Sequence, residues 1–361
     1  MSALIFKDLK VVELASVLAG PAVGMFFAEL GARVIKIENK KTGGDVTRTW
    51  RLPSESAEAP VSAYYCSVNW GKQSLLLDLE APEDRQTAQN LILEADVLIS
   101  NFKPSFAQKT GLDFETLRRD NPRLIYAQLL AFEHDDTIPA FDIVLQAEAG
   151  FLYMTGEADR PPSRMPVALI DLLAAHQLKE GILIALLQRE RSGEGSFVQT
   201  SLMASALASL ANQATNWLMA GHIPQRMGSS HPNIAPYGDI FHTADGKALV
   251  LAIGADHQFR NLCKCLDLCH LPEDERFSTN PNRVKNRQAL VEALKPAFLQ
   301  FQHEVLISTL HKNGVPAGSV RNMEEVFELP FAQSMVLEET LADGSMSKRV
   351  KTVAFTIKIN T

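Results

Sequence analysis

Residues 10–38 read Lys-Val-Val-Glu-Leu-Ala-Ser-Val-Leu-Ala-Gly-Pro-Ala-Val-Gly-Met-Phe-Phe-Ala-Glu-Leu-Gly-Ala-Arg-Val-Ile-Lys-Ile-Glu. Residues 10–15 have the β-branched run of a strand, and 16–21 form a turn. Residues 21–30 then follow a helical pattern, with Pro21 suited to a first helical position. Gly31 ends that helix, and 33–38 is a second strand. Strand, helix and strand in this order make a βαβ unit, with a parallel pair and a right-handed crossover. The fold class expected is therefore α/β.

Further units continue the pattern. Residues 75–79, 96–100 and 123–127 read as strands, and about 105–119 as a helix. Long apolar helices are expected from 171 to 221. Gly228, Ser229, Ser230, Pro232 and Pro236 mark residues 222–236 as a linker. Beyond it, 237–330 reads as a smaller α/β domain. A hairpin is expected at 239–243 and 247–253, and helices near 256–268, 284–301 and 303–313. The tail, 331–361, is charged and β-prone at its end.

Composition narrows the class. A hydrophobic content of 46% with 21% charged residues is that of a globular chain, and 361 residues allow one large domain or two ordinary ones. A net charge of −7 argues against nucleic acid as the main partner. Residues 1–10 alternate apolar and charged side chains, so no signal peptide is expected. The longest apolar stretches, 167–187 and 201–220, are interrupted by Asp171, His176, Lys179, Glu180, Gln213 and Asn216. No membrane span is expected, and the reading is a soluble cytoplasmic protein. Cys66, Cys263, Cys265 and Cys269 make no disulfide scaffold. The spacing of the last three, with His270, matches no paired-Cys metal pattern, so no metal site is expected.

Asp171 stands where an almost unbroken apolar run begins, at the start of a buried helix. There it is either an N-cap or a reactive carboxylate facing a cleft. His176, five residues on, lies off the Asp171 face and reads as a packing or hydrogen-bonding group. Glu38 ends the second strand where a ribose-binding acid would stand. However, Gly20, Gly24 and Gly31 do not make the G-x-G-x-x-G spacing of dinucleotide binding. Lys40, Lys41 and Arg48 lie in a polar loop at a strand's carboxyl end, where they face either phosphates or solvent. Lys72 is a further candidate phosphate contact.

Several segments together resemble the class III coenzyme A transferases, the group that includes formyl-CoA and carnitine CoA transferases. They are residues 16–21; 30–38; Gly43-Gly44-Asp45-Val46-Thr47-Arg48; 71–74 with 77–79; 95–104; 141–147; Asp171; 231–237; 245–246; 282–287; and 314–318. They occur in order from about residue 8 to 335, and the ordered set is specific where each piece alone is weak.

The resemblance implies a Rossmann-like large domain with a parallel sheet, residues 1–224 and 331–361, that binds coenzyme A. It also implies a small α/β domain, residues 225–330, and an interlocked homodimer. It makes Asp171 catalytic and sets Val17, Leu18, Asn39, Lys72, Asn101, Phe102 and Lys109 along the coenzyme A path. The substrates implied are an acyl-CoA and a small carboxylic acid, with no permanently bound cofactor. An Asp of ordinary pKa, about 3.9, is ionised at neutral pH and needs no general base to attack a thioester. The path implied runs through an aspartyl mixed anhydride and an aspartyl-CoA thioester.

Two alternatives use the same fold. An α-methylacyl-CoA racemase needs a His just before Asp142, where this chain has Phe141. A non-catalytic acyl-CoA-binding protein is motivated by the short segment 129–141 and by the lack of a glycine-rich loop near 250–258.

Overall fold

The computed structural model describes residues 5–133, 138–341 and 343–357. Part of the short segment 129–141, residues 134–137, lies outside them. The chain divides into two compact units. The first holds residues 1–152, 165–222 and 334–361, and the second 153–164 and 223–333.

In the first unit the elements run β1 (Lys10–Leu14), α1 (Ala19–Glu29), β2 (Arg33–Asn39), α2 (Ala63–Asn69), β3 (Lys72–Leu77), α3 (Pro82–Leu93) and β4 (Val97–Ser100). They continue as α4 (Pro104–Thr110), α5 (Phe114–Asp120), β5 (Ile125–Leu130), α6 (Asp142–Glu148), α7 (Phe151–Met154, which straddles the boundary), α8 (Leu169–Ser192), β6 (Ser196–Ser201), α9 (Leu202–Ala208) and α10 (Ala211–Ala220). Six strands pair in the order β3-β2-β1-β4-β5-β6, all parallel. This is the order of a doubly wound sheet, with the direction of winding reversing between β1 and β4.

Both faces of the sheet are covered, as a parallel sheet requires. Val11, Val34, Val97, Ile99 and Ile125 join the buried faces of α1 and α8 in one apolar cluster. Val12, Leu14, Ile35, Leu98 and Tyr126 point the other way, against Ile92 of α3 and Leu117 of α5. This is the two-residue alternation of a strand.

The boundaries differ from the sequence reading in identifiable ways. Helix α1 begins two residues early, so Pro21 is its third residue, and its N-cap, Leu18, makes no side-chain cap. The helix expected at 105–119 is two helices. Gly111 takes a left-handed turn at φ 66°, and Asp113 starts α5 by accepting the Thr116 amide at 3.1 Å. Strand β6, Ser-Phe-Val-Gln-Thr-Ser, lies between the long helices expected from 171 to 221 and was not itself expected. Pairing with β5 at the sheet edge makes it a strand.

The second unit has an antiparallel sheet in the order β7-β8-β9, made of β7 (Tyr237–His242), β8 (Ala248–Ala252) and β9 (Ala317–Ser319). Its helices are α11 (Asp256–Cys265), α12 (Asn280–Lys285), α13 (Arg287–Phe298), α14 (His303–Lys312), α15 (Met323–Phe327) and α16 (Pro330–Ser334). Phe241 of β7 stacks on Phe298 of α13 with centroids 4.4 Å apart. The helix expected at 284–301 breaks at Asn286.

The tail returns to the first unit as the hairpin β10 (Val336–Thr340) and β11 (Met346–Val350). There Glu29 accepts the Arg349 guanidinium and the amides of Thr352 and Val353. Among the described residues no helix is long and apolar enough to cross a membrane, and no group of three His, Cys, Asp or Glu side chains is placed to hold a metal.

Candidate active site

The loops at the carboxyl ends of the parallel strands line two cavities that share Ser16 and Phe102. The reversal between β1 and β4 opens a crevice at this edge, the usual ligand position in such sheets. The inner cavity, about 350 Å³, brings together Val17, Leu18, Asn101, Phe102 and Asp171, with Phe132 and Phe141 adding apolar wall. The outer cavity, about 500 Å³, is lined by Asn39, Lys41, Asp45, Glu80, Phe102 and Phe106.

Asp171 is the third residue of α8 and 8% exposed. It is not the cap of its helix, whose N-cap is Ala168 and makes no side-chain bond. The cap comes from elsewhere. Asp142, the first residue of α6, accepts the amide of Ile170 at 2.7 Å and that of Asp171 at 3.4 Å. Burial, with the Asp142 charge adding to it, pushes the Asp171 carboxyl up to about 7. This corrects the expectation of an ordinary aspartate, since about half of such groups carry a proton at neutral pH. Tyr64 is nearby, and burial and the two aspartates hold its phenol above its usual range. Trp50 packs between Tyr64 and Phe141, at 5.2 and 6.3 Å between centroids.

The other expected residues divide. Asn101 spans the switch point, its Oδ1 accepting the Ser16 amide at 3.3 Å and its Nδ2 donating to the Ser16 carbonyl at 3.1 Å. Asn39 accepts the Lys41 amide at 2.9 Å and shapes the turn at the outer cavity. Lys109 is exposed and pairs at 3.4 Å with Glu80, which also holds Lys41 at 2.7 Å. Lys40 pairs loosely with Asp84, at 3.8 Å.

Lys72 is not brought to either cavity. Its side chain is 1% exposed, and its ammonium donates to Glu13 at 2.8 Å, to the Pro21 carbonyl at 2.8 Å and to Asn69 at 3.1 Å. Burial, partly offset by Glu13, lowers it to about 8. Arg48 is also withdrawn, held by Glu38 at 2.7 Å through both Nε and Nη2. Glu38 accepts in addition from Tyr65 at 2.8 Å and from the Asp45 amide at 2.6 Å. These donors outweigh burial and hold Glu38 at about 2, with both its oxygens engaged by the loop and its neighbours. His176 is exposed on α8 and not packed, contrary to expectation.

Two side chains bonded to the backbone beside the inner cavity had a weak signal in the sequence. Asp142 stood out only as the neighbour of Phe141. Asp45 sat in a Gly-Gly-Asp turn whose apparent interest was its basic residues.

A model of CoA-transferase family III matches residues 6–361. Succinate–glutarate CoA-transferase of Agrobacterium fabrum is 39% identical over 96% of this chain and 88% of its own length. Acetyl-CoA:oxalate CoA-transferase of Acetobacter aceti is 36% identical over 90% of this chain and 83% of its own. A crystal structure of a CAIB/BAIF family protein from Brucella suis superposes with a TM-score of 0.85. It is 38% identical and covers 98% of this chain and 93% of the other.

Proposed function

Because the chain belongs to CoA-transferase family III, we propose that this enzyme passes coenzyme A between two carboxylic acids by acylation of Asp171. The observation that carries the reading is the Asp171 carboxylate itself. Asp171 lies in the first turn of α8, is only 8% exposed, and lines the inner cavity together with Val17, Leu18 and Asn101.

Asp171 attacks the thioester carbonyl, the C–S bond breaks, and coenzyme A thiolate leaves behind a mixed anhydride. The thiolate returns to the aspartyl carbonyl, which frees the donor acid and leaves an aspartyl-CoA thioester. The acceptor carboxylate attacks that carbonyl and again expels thiolate. The thiolate then takes the acceptor acyl group and restores Asp171. Phe102, Phe132 and Phe141 limit the water that would hydrolyse the anhydride. The coenzyme A path we propose runs past Asn39, Phe102, Asn101, Val17 and Leu18, with Lys109 at its outer rim. Both relatives above have a short dicarboxylate in their names, succinate and glutarate in one and oxalate, with acetyl-CoA, in the other, and short dicarboxylates are the acid class to test first.

The test is to incubate the protein with a coenzyme A thioester and hydroxylamine and look for a hydroxamate on Asp171 by mass spectrometry. An unmodified Asp171, under conditions where label passes between acids, rejects the aspartyl path.

The large domain proposed is 1–224 with 331–361 and the small one 225–330, a division that the two compact units support apart from 153–164, 223–224 and 331–333, which fall in the second unit. The exposed apolar side chains Ile184 and Leu187 on α8 and Trp217, Leu218 and Met219 on α10 support an interlocked homodimer. It would sediment at twice the 39.8 kDa of one chain. Four free cysteines support a reducing compartment, the cytoplasm.

A further inference from the structure

In the turn that follows β1, side chains hold the Ala15 carbonyl, both polar backbone atoms of Ser16 and the Val17 amide. Lys36, fully buried at the middle of β2, donates to the Ala15 carbonyl at 2.6 Å. Asn101 takes both the amide and the carbonyl of Ser16. Asp45 accepts the Val17 amide at 3.1 Å through Oδ2. Val17 itself is in the left-handed region, at φ 72°. A β-branched residue enters that region at a cost, and stays only where its surroundings over-determine it.

Asp45 is built for this task. It is 5% exposed, and four groups address its carboxylate. The Thr47 amide and hydroxyl reach Oδ1 at 3.0 and 2.8 Å. The Val17 amide and the Lys36 ammonium, the latter at 3.0 Å, reach Oδ2. Lys36 is in turn fixed by Glu13 at 2.9 Å, and Glu13 by Lys72. Two buried cations and two buried anions thus end on one peptide, and that peptide lines the inner cavity beside Asp171.

We propose that Asp45 is a positioning residue that holds Val17 in its left-handed conformation and so sets the wall against which the thioester meets Asp171. Asp45 touches no reacting atom and acts through Val17 and Leu18. The inference rests on the transferase reading above, and a small displacement of such a wall is enough to cost a large factor in rate.

The test is a cycle of Asp45→Asn, Val17→Gly and the double variant, read as kcat and KM for coenzyme A transfer. Asparagine turns one of the two acceptor oxygens into a donor that faces existing donors. On the natural background Asp45→Asn is expected to lower kcat at least tenfold with KM for the donor within threefold. On the Val17→Gly background it is expected to cost less than threefold, because glycine takes a positive φ without being held. An equal cost on both backgrounds, or an unchanged kcat in Asp45→Asn, overturns the proposal.

Should Asp45→Asn fail to fold, Val17→Pro leaves Asp45, Lys36 and Glu13 intact while removing the amide and the positive φ. It is expected to fold and lose at least tenfold in kcat, and a natural kcat overturns the proposal. If the natural protein moves no coenzyme A at all, the transferase reading has failed, and hydrogen exchange still decides this one. In Asp45→Asn the Val17 amide is expected to exchange at least tenfold faster while the β1 amides are unchanged; equal protection rejects the role of Asp45.

Discussion

The carboxylate of Asp142 accepts the backbone amide of Asp171, at 3.4 Å, and that of Ile170, at 2.7 Å. Two free donors at the start of α8 are thus taken by a neighbouring helix, and the side chain of Asp171 does not cap its own helix. The arrangement also sets one carboxylate beside another. Burial first, and then this like charge, hold Asp171 near 7.

Asp142→Asn keeps an acceptor oxygen for the two amides and removes the charge. The Asp171 pKa falls toward the ordinary carboxylate range. The acid limb of the kcat/KM profile, which reports ionisation of Asp171, moves to lower pH. A pH series on the two proteins checks this, and superimposable limbs would show that the Asp142 charge does not act on Asp171.

Asp171→Asn abolishes transfer and stabilises the fold at neutral pH. The folded pKa lies above the unfolded one, so the folded chain binds more protons between about 4 and 7. The contribution of Asp171 to stability is therefore fully present below about 4 and lost as pH rises through 7. Relative to Asp171→Asn, the natural protein weakens over that window, to a final deficit on the order of a few kcal/mol. Urea unfolding at pH 5 and 8 measures it; a gap that does not widen with pH contradicts the linkage.

Lys72 and Lys109 separate by what their removal does. Lys72→Met leaves Glu13 buried with one cation fewer, and stability falls by about 3–5 kcal/mol. The folded remainder keeps its KM for coenzyme A thioesters. Lys109→Ala leaves stability unchanged, and KM rises about two- to fivefold at low salt, as for an exposed ionic contact. A large rise in KM in a folded Lys72→Met protein would return Lys72 to the coenzyme A path.

Gly44→Ala destabilises the loop before Asp45 by about 2–3 kcal/mol. Gly44 has φ 114°, and an added Cβ would stand 2.6 Å from a Glu38 oxygen and 2.8 Å from Arg48. The Glu38 bond to the Asp45 amide, 2.6 Å, depends on that close approach. Thermal unfolding checks the prediction, and an unchanged melting temperature would mean the loop relaxes freely.

The sequence by itself determined the parallel architecture and the lone carboxylate. Val11, Val34 and Val97 announce buried strands because their neighbours alternate between two covered faces, and Asp171 interrupts an apolar helix. Local order of this kind is written in the spacing of side chains. What only the tertiary structure decided is which polar groups meet. Ser196–Ser201 pairs as the edge strand of the sheet with β5, a partner that lies far off in the chain and leaves no mark in the local sequence. Lys72 and Arg48 look free in the sequence, yet they are held by Glu13 and Glu38, from other strands. Asp142 tunes Asp171 from 29 positions away in the chain. Charge and desolvation depend on distance through space, which no local pattern encodes, and so the ionisation of Asp171 and Lys72 could not be read from the sequence.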